Sequence, residues 1–375
     1  MKIGIITQPL HANYGGLLQN YALQQTLIRS GHDVITIDQD RPQLNILEKI
    51  KVSLILMLAK CLGRAKYKKF PLTEYEYIKR GADVIYFKNK YINSTLKCIT
   101  YEELNSICTQ LVPDVLIVGS DQVWRPRYSI RPESAFLDFY DTPNVIKIAY
   151  AASFGTDTWE YTEEQTSYIK KYIQKFIAIS VREKPGIQLC KDNLDVDACQ
   201  VVDPTLLLDR IDYIKLVESE NEHMSEGNLL TYILDNDDNK QKIIRYIASE
   251  LQLKDFSVMV GRKRCSKFPS VTKWLRGFMD AKFAIVDSFH GTVFSIIFNK
   301  PFIVIANSIR GNSRFDTLLS TFNLQDRIIS SQASESEILT IIRKDIDWNI
   351  INSIWLKKKE EGINFLKKAL ECKRN

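Results

Sequence analysis

From Phe283 to Ile305 the chain writes a strand, a tight turn, a short helix and a second strand with almost no linking residues between them. Phe283–Val286 is a four-residue apolar run. Asp287-Ser288-Phe289-His290-Gly291-Thr292 forms the turn, Phe294-Ser295-Ile296-Ile297-Phe298 continues as helix, and Asn299-Lys300-Pro301 stops it before Phe302–Ile305. Such a unit demands a parallel crossover, and its turn sets free backbone N–H groups and a helix N-terminus beside any anionic ligand. His290 stands in that turn, one of four histidines (His11, His32, His223, His290). A titrating imidazole there can act on a phosphate-bearing substrate; a core histidine bonded to backbone is the competing explanation.

The same alternation runs through the chain. Lys2–Ile6 reads as a strand, Leu17–Arg29 as a helix closed by Gly31, and Val34–Ile37 as the next strand. A basic helical segment (46–92) follows, then apolar runs at Val115–Val118, Ile146–Ala149, Ile177–Ile179 and Val201–Val202. A break falls after Asp203-Pro204-Thr205, and the polar stretch Glu218–Gly227 precedes a second series. Its strands are expected at Leu229–Leu234, Phe256–Val260, Phe283–Val286 and Phe302–Ile305, its helices at 238–251, 270–280, 291–298 and 315–321. Two helices are expected from residue 335 onward, the last rich in lysine (Lys357-Lys358-Lys359 and Lys367-Lys368). Buried β-branched runs separated by helices imply parallel sheets covered on both faces. At 375 residues the chain is too long for one ordinary core. The expected fold is α/β, with two Rossmann-like domains facing a cleft: residues 1–205, residues 206–334, and C-terminal helices 335–375 that can pack back on the first domain. Ligands of such sheets bind at the carboxyl ends of the strands.

The net charge of +6 is modest, which argues for an anionic small ligand or surface and against a nucleic-acid partner. The seven cysteines are scattered with no CxxC or CxxH pair, as expected of reduced thiols, and no cysteine metal site is anticipated. Met1-Lys2-Ile3-Gly4-Ile5-Ile6 is a strand rather than a signal segment, and Val52–Ala59 is far below the ~20 residues of a spanning helix. The expected location is cytoplasmic, with peripheral membrane contact left open.

Four strand-end loops carry the candidate chemistry. In the first, Thr7 to Gly16 enters a helix through paired glycines, so that Asn13, Tyr14, Gly15, Gly16 and Gln19 can bring backbone and amides close to a ligand. It is not GxGxxG, so a dinucleotide is unsupported. In the second, Ser120, Asp121, Gln122, Trp124 and Arg125 combine an indole, an amide, a carboxylate and a guanidinium, the means by which proteins hold sugars. Asp121 can also take a proton from a hydroxyl. The alternative is an Asx-turn with a packed tryptophan. In the third, Arg182 can grip a carboxylate or phosphate, or pair with Glu183 at the surface. In the fourth, Arg310, Asn312 and Arg314 flank a turn near His290 and, with Ser288, Gly291 and Thr292, suit a multiply charged small anion; a solvated charged face is the alternative.

Taken together, the ordered set Asn13-Tyr14-Gly15-Gly16, Gly119-Ser120-Asp121-Gln122-Val123-Trp124, Tyr150-Ala151-Ala152-Ser153-Phe154-Gly155, Ser180-Val181-Arg182-Glu183, Val202-Asp203-Pro204-Thr205, Asp287-Ser288-Phe289-His290-Gly291-Thr292 and Arg310-Gly311 resembles the polysaccharide pyruvyl transferase family. The resemblance covers residues 3–330. It implies a fold of the glycosyltransferase-B type and transfer of the carbons of phosphoenolpyruvate to a sugar, usually as a cyclic ketal, with release of phosphate. It also implies that His290 and Arg182 lie at the donor, with phosphoenolpyruvate as co-substrate and no cofactor or metal. The acceptor is expected to be a sugar or lipid-linked oligosaccharide. Family members with an established donor site tend to carry Arg-Leu-His; here Ser288-Phe289 precede His290, and Arg310 or Arg314 is the candidate replacement. His290 is the expected proton donor and Asp121 the expected base.

Two other readings stand beside this one. A nucleotide-sugar glycosyltransferase would place a carboxylate one turn beyond the Gly-Thr pair, where this chain has Ser295, Ile296 and Ile297. A non-catalytic glycan-binding protein would keep Trp124 and tolerate loss of His290 and Arg182. Separately, Lys49, Lys51, Lys60, Arg64, Lys66, Lys68 and Lys69 are interleaved with Ile50, Val52, Leu54–Leu58 and Leu62. A basic amphipathic helix there can lie on an anionic membrane or pack on the first domain with its lysines in water.

Overall fold

The computed structural model describes residues 1–40, 46–61, 74–129, 131–259, 266–306 and 313–372. The first sheet comprises β1 (Lys2–Ile6), β2 (Asp33–Thr36), β3 (Val115–Val118), β4 (Ile146–Ala152), β5 (Ala178–Val181) and β6 (Cys199–Gln200), in the order β2-β1-β3-β4-β5-β6. Every pairing in it is parallel. The second comprises β7 (Leu229–Tyr232), β8 (Asp255–Ser257), β9 (Phe283–Val286), β10 (Phe302–Ile305) and β11 (Ile328–Ile329), in the order β11-β10-β9-β7-β8 and again parallel throughout. Counted from its own first strand, each sheet begins in the order 2-1-3-4-5. The winding therefore reverses between β1 and β3 and again between β7 and β9, and these two switch points are where ligands of open α/β sheets bind.

The helices of the first half are α1 (Tyr14–Arg29), α2 (Ile46–Cys61), α3 (Glu74–Arg80), α4 (Ala82–Tyr91), α5 (Tyr101–Leu111), α6 (Glu163–Ile173) and α7 (Pro185–Leu194). Those of the second are α8 (Arg210–Ser219), α9 (Asp238–Leu251), α10 (Val271–Asp280), α11 (Phe289–Ile297), α12 (Ser313–Thr321), α13 (Glu335–Arg343) and α14 (Trp348–Glu371). All residues of β3, β4, β9 and β10 are buried, which explains the unbroken apolar character of β3, β9 and β10; in β4 the buried Lys147 donates to Leu137 O at 2.9 Å. Thr100 and Thr162 close capping boxes at α5 and α6, and Ser288 caps α11 by accepting from the Gly291 N–H.

Three expectations shift. The strand expected at Val201–Val202 is the edge pair Cys199–Gln200, because the register set by Ser180 and Val181 uses those residues and leaves the valines to bury the chain beyond it. The strand β11 was not expected; two residues carry too little periodicity to be read. The tail separates: α13 buries Ile338 and Ile342 against Leu229 and Ile243 of the second domain. Helix α14 instead returns to the first sheet, where the Trp355 indole donates to Leu206 O at 2.8 Å and Phe365 lies 6.1 Å from Tyr150, ring to ring.

Candidate functional site

The two switch points face one another. At the first, α1 begins with Tyr14, Gly15 and Gly16, and Gly15 lies against the His290 imidazole of the second domain. A Cβ at position 15 would fall 2.0 Å from His290 Nδ1, so only glycine lets the ring lie there. Tyr14 fastens the same contact: its hydroxyl donates to Pro269 O at 2.9 Å, and its ring stacks on Trp274 at 5.6 Å. Burial pushes the Tyr14 phenol well above its ordinary range.

His290 Nε2 is 3.6 Å from Asp203 Oδ2 and has no hydrogen-bond partner, and the side chain is 11% exposed where the two domains meet. Asp203 is the junction of the site. Oδ2 receives Arg182 Nη1 at 2.8 Å and the Ser120 hydroxyl at 3.2 Å, while Oδ1 receives the Thr205 N–H and hydroxyl at 3.0 and 2.7 Å. Burial raises the Asp203 carboxyl, but His290 and Arg182 outweigh it and hold the group well below the usual carboxylate range.

Arg182 continues the chain of contacts. Nη2 donates to Ser153 Oγ at 3.2 Å and lies 3.7 Å from Asp121 Oδ1, and the guanidinium sits 4.3 Å above the Phe289 ring centroid. Burial lowers the Arg182 pKa, but Asp203, Asp121 and Glu183 reverse this and leave it raised. Asp121 receives the Gln122 N–H at 2.9 Å and Asn13 Nδ2 at 3.1 Å, with its backbone in the left-handed region at φ 72°. A non-glycine residue there is strained, and such strain gathers at functional sites. Arg314 opens α12 and approaches the far side of the site, 6.0 Å from the Phe289 ring. Burial and the like charge of Arg182 pull its pKa down to about 10. A narrow hollow between the domains is lined by Arg182, Gln200, Asp203, Phe289, Arg314 and Thr317.

The expected residues thus divide. His290, Asp121, Arg182, Arg314, Asn13 and Gly15 converge. Arg310 and Asn312 lie outside the described residues. Several others are committed elsewhere. Trp124 is fully buried, stacked on Phe136 at 5.3 Å, with its indole donating to Ala135 O at 3.0 Å, so it offers no face to a sugar. The packed-tryptophan alternative is the correct one. Gln19 is fully buried and donates to Thr7 Oγ1 and Gly16 O, fixing the first loop from beneath. Gly16 backs onto the Asn13 side chain. Ser120 spends its hydroxyl on Asp203, and the Gln122 side-chain oxygen accepts from Arg125 at 3.0 Å. Thr292 is fully buried and donates to Ser288 O, and Gly291 fits tightly beside Ser288 and Tyr232. Ser288, Gly291 and Thr292 therefore shape the start of α11 rather than line the cleft. The pairing of Arg182 with Glu183 is also not a surface feature: Glu183 is fully buried and receives the Ser153 hydroxyl and the Gly155 N–H.

Asp203, Ser153, Glu183 and Phe289 are the site residues that sequence reading passed over as such. Asp203 stands in Asp-Pro-Thr, a sequence that suits a domain break or turn as well as a junction of side chains. Among the described residues no three His, Cys, Asp or Glu side chains gather in a way that would hold a metal ion.

A second hollow lies at the ends of β1 and β2, lined by Gln8, Gln39, Asp40, Tyr128, Ser129 and Arg131 among others. There Gln8 donates to Gln122 O at 2.9 Å, and Asp40 pairs with His11 at 2.9 Å and Lys97 at 2.7 Å.

Two parallel-sheet domains with a polar cleft at opposed switch points define a fold of the glycosyltransferase-B type. Its breadth is visible in two solved structures: the UDP-GlcNAc 2-epimerase of Methanocaldococcus jannaschii is 11% identical with a TM-score of 0.53, covering 98% of this chain and 100% of that one. The S. aureus MnaA–UDP co-structure is 12% identical with a TM-score of 0.51, covering 98% and 96%. At such identities the likeness concerns fold alone. No match was found among curated proteins. The polysaccharide pyruvyl transferase family model matches residues 13–309, most of the chain, and the protein belongs to that family, a family of transferases.

Proposed function

We propose that the protein transfers the three-carbon unit of phosphoenolpyruvate to a pair of sugar hydroxyls, forming a cyclic ketal and releasing phosphate. The observation that carries this reading is the meeting of Gly15, Asp121, Arg182 and Asp203 from one sheet with His290 from the other, all within family motifs. A donor bearing both a carboxylate and a phosphate needs cations in a dry setting, and the hollow between Arg182 and Arg314 supplies two. Arg314 takes the place of the arginine that the family tends to carry two residues before the histidine.

In the reaction His290 gives a proton to C3 of the donor, making C2 an oxocarbenium-like centre. A sugar hydroxyl attacks C2 while Asp121 accepts its proton. The second hydroxyl then displaces phosphate from C2, and its proton leaves with the phosphate or returns to His290. Asp203 is a positioning residue: held ionised by Arg182, it lies 3.6 Å from the imidazole and orients it. The acceptor takes the polar hollow around Gln8, Gln39, Asp40 and Arg131, since Trp124 offers no stacking face.

The test is inorganic phosphate release from phosphoenolpyruvate across a panel of hexosides, soluble and lipid-linked. His290→Ala should lose ~10²-fold or more in kcat while melting normally. Arg182→Ala should lose activity together with stability, because it leaves Asp203 buried without its cation. Thermal stabilisation by UDP- or GDP-sugars with none by phosphoenolpyruvate would reverse the assignment in favour of a glycosyltransferase.

A further inference from the structure

The outer edge of the first sheet is wider than β2 alone. Residues 93–98 run parallel to it, through bridges from Thr36 to Ser94 and from Gln39 to Cys98. The Thr95 N–H donates to Thr36 O at 2.9 Å and the Asp40 N–H to Cys98 O at 2.8 Å. At Gln39, Asp40 and Cys98 this edge lines the hollow assigned above to the acceptor. At Asp38, Ser94, Leu96 and Lys97 it lines a larger groove, whose other wall includes Gln25 and Ile28 of α1 and Asn89 of α4. The groove offers about 660 Å³ and the hollow about 40 Å³. Only the groove falls within the roughly 300–1,000 Å³ of small-molecule sites. Lys97 of the groove pairs with Asp40 of the hollow at 2.7 Å, so the two spaces meet at one ion pair.

The groove wall selects its ligand by chemistry. Each lysine on it has a carboxylate of its own: Lys88 bonds to Asp38, Lys90 pairs with Glu220 at 2.8 Å, and Lys97 pairs with Asp40. Charge cancels pair by pair, which leaves little field to draw a polyanion. Hydrogen-bonding capacity remains. The side chains of Gln25, Asn89 and Ser94 make no hydrogen bond among the described residues. Ile28 and Leu96, 41% and 88% exposed, add small apolar faces. Amides and a hydroxyl that both donate and accept, set beside aliphatic carbon, match a chain of hydroxyl-bearing rings. We propose that this groove holds the remaining residues of an uncharged oligosaccharide whose reacting sugar lies in the small hollow. The chain crosses from one space to the other over the Lys97–Asp40 pair. The proposal rests on the acceptor side of the function given above, and makes the acceptor an oligosaccharide rather than a free monosaccharide.

The experiment is binding of the full chain to a printed array of defined neutral and acidic glycans, from monosaccharides to hexasaccharides. Phosphate release from phosphoenolpyruvate is measured in parallel with the same glycans in solution. Neutral trisaccharides and longer glycans should retain the wild-type protein about tenfold better than monosaccharides, and acidic glycans no better than neutral ones of equal length. Gln25→Ala with Asn89→Ala removes two amides and should lower retention on the long glycans by about tenfold. Asn89→Trp, which fills the groove, should do the same. Both variants should keep the wild-type Tm, because the changed side chains hold no hydrogen bond in the protein. Retention that is nil or does not grow with glycan length would overturn the inference. So would a preference for acidic glycans, or retention undiminished in both variants. Length-dependent retention that the variants abolish, with no phosphate release from any glycan, would instead sink pyruvyl transfer and leave the groove standing.

Discussion

Asp121 and Asp287 occupy matching places, just beyond the third strand of two sheets wound in the same order, yet their surroundings differ. Asp287 is fully enclosed: Lys240 Nζ donates to it at 2.7 Å, and the Leu234 and Asp235 N–H groups at 2.6 and 3.2 Å tie it to the end of β7. Asp121 is held by Asn13 and its own loop, stands in strained backbone and lies 3.7 Å from Arg182. The second domain uses its switch-point carboxylate to brace the loop that carries His290. The first leaves its carboxylate beside the cleft, among charged groups of both signs. One switch point is a mount and the other a polar bed, and the site exists only when they are pressed together.

Breaking the mount should have the largest effect. Asp287→Ala leaves Lys240 buried without its partner and should cost about 3–5 kcal/mol in denaturant unfolding. Unfolding within ~1 kcal/mol of wild type would show that the brace is dispensable. Next is the surface where the halves meet. Gly15→Ala must displace the His290 ring, and a shift of this kind should lower kcat by up to ~10²-fold with Tm little changed, since alanine is also the better helix former. Gly16→Ala, which meets the Asn13 side chain that holds Asp121, should disturb the other side of the site and lower kcat without moving the imidazole.

A smaller effect separates the polar bed by pH. The folded pKa of Asp203 is depressed, so its contribution is fully present above the unfolded value of ~3.9 and is lost as pH falls below it toward the folded value. Asp203→Asn should therefore lower stability at neutral pH and flatten the acid limb, as read by thermal melts between pH ~2 and ~7. An unchanged acid limb would place the linkage elsewhere. Smallest is Trp124→Phe, which removes an indole hydrogen bond to Ala135 and should cost ~1–3 kcal/mol of stability, with acceptor KM unmoved. A large rise in KM would return Trp124 to the cleft.

Much of the fold was legible because its signals are local. The apolar runs at Lys2–Ile6, Val115–Val118, Phe283–Val286 and Phe302–Ile305 are strands with those bounds, since burial on both faces requires continuous hydrophobicity. The strand-end position of Asp121, Arg182 and His290 follows from the same alternation, and the motif order placed the chain in its family.

What a side chain touches across the molecule is a different matter. Asn-Tyr-Gly-Gly reads equally as a ligand loop or as a seat for another side chain, and only the docking of the two sheets made Gly15 the seat of His290. Trp124 and Gln19 went to the interior, and Asp203 became the junction, for the same reason. Sequence periodicity fixes which face of an element is apolar, but not what that face meets. For α1 the partner is a domain; for α2 the chain itself provides none among the described residues, and its apolar face is left to solvent or to a partner outside the fold.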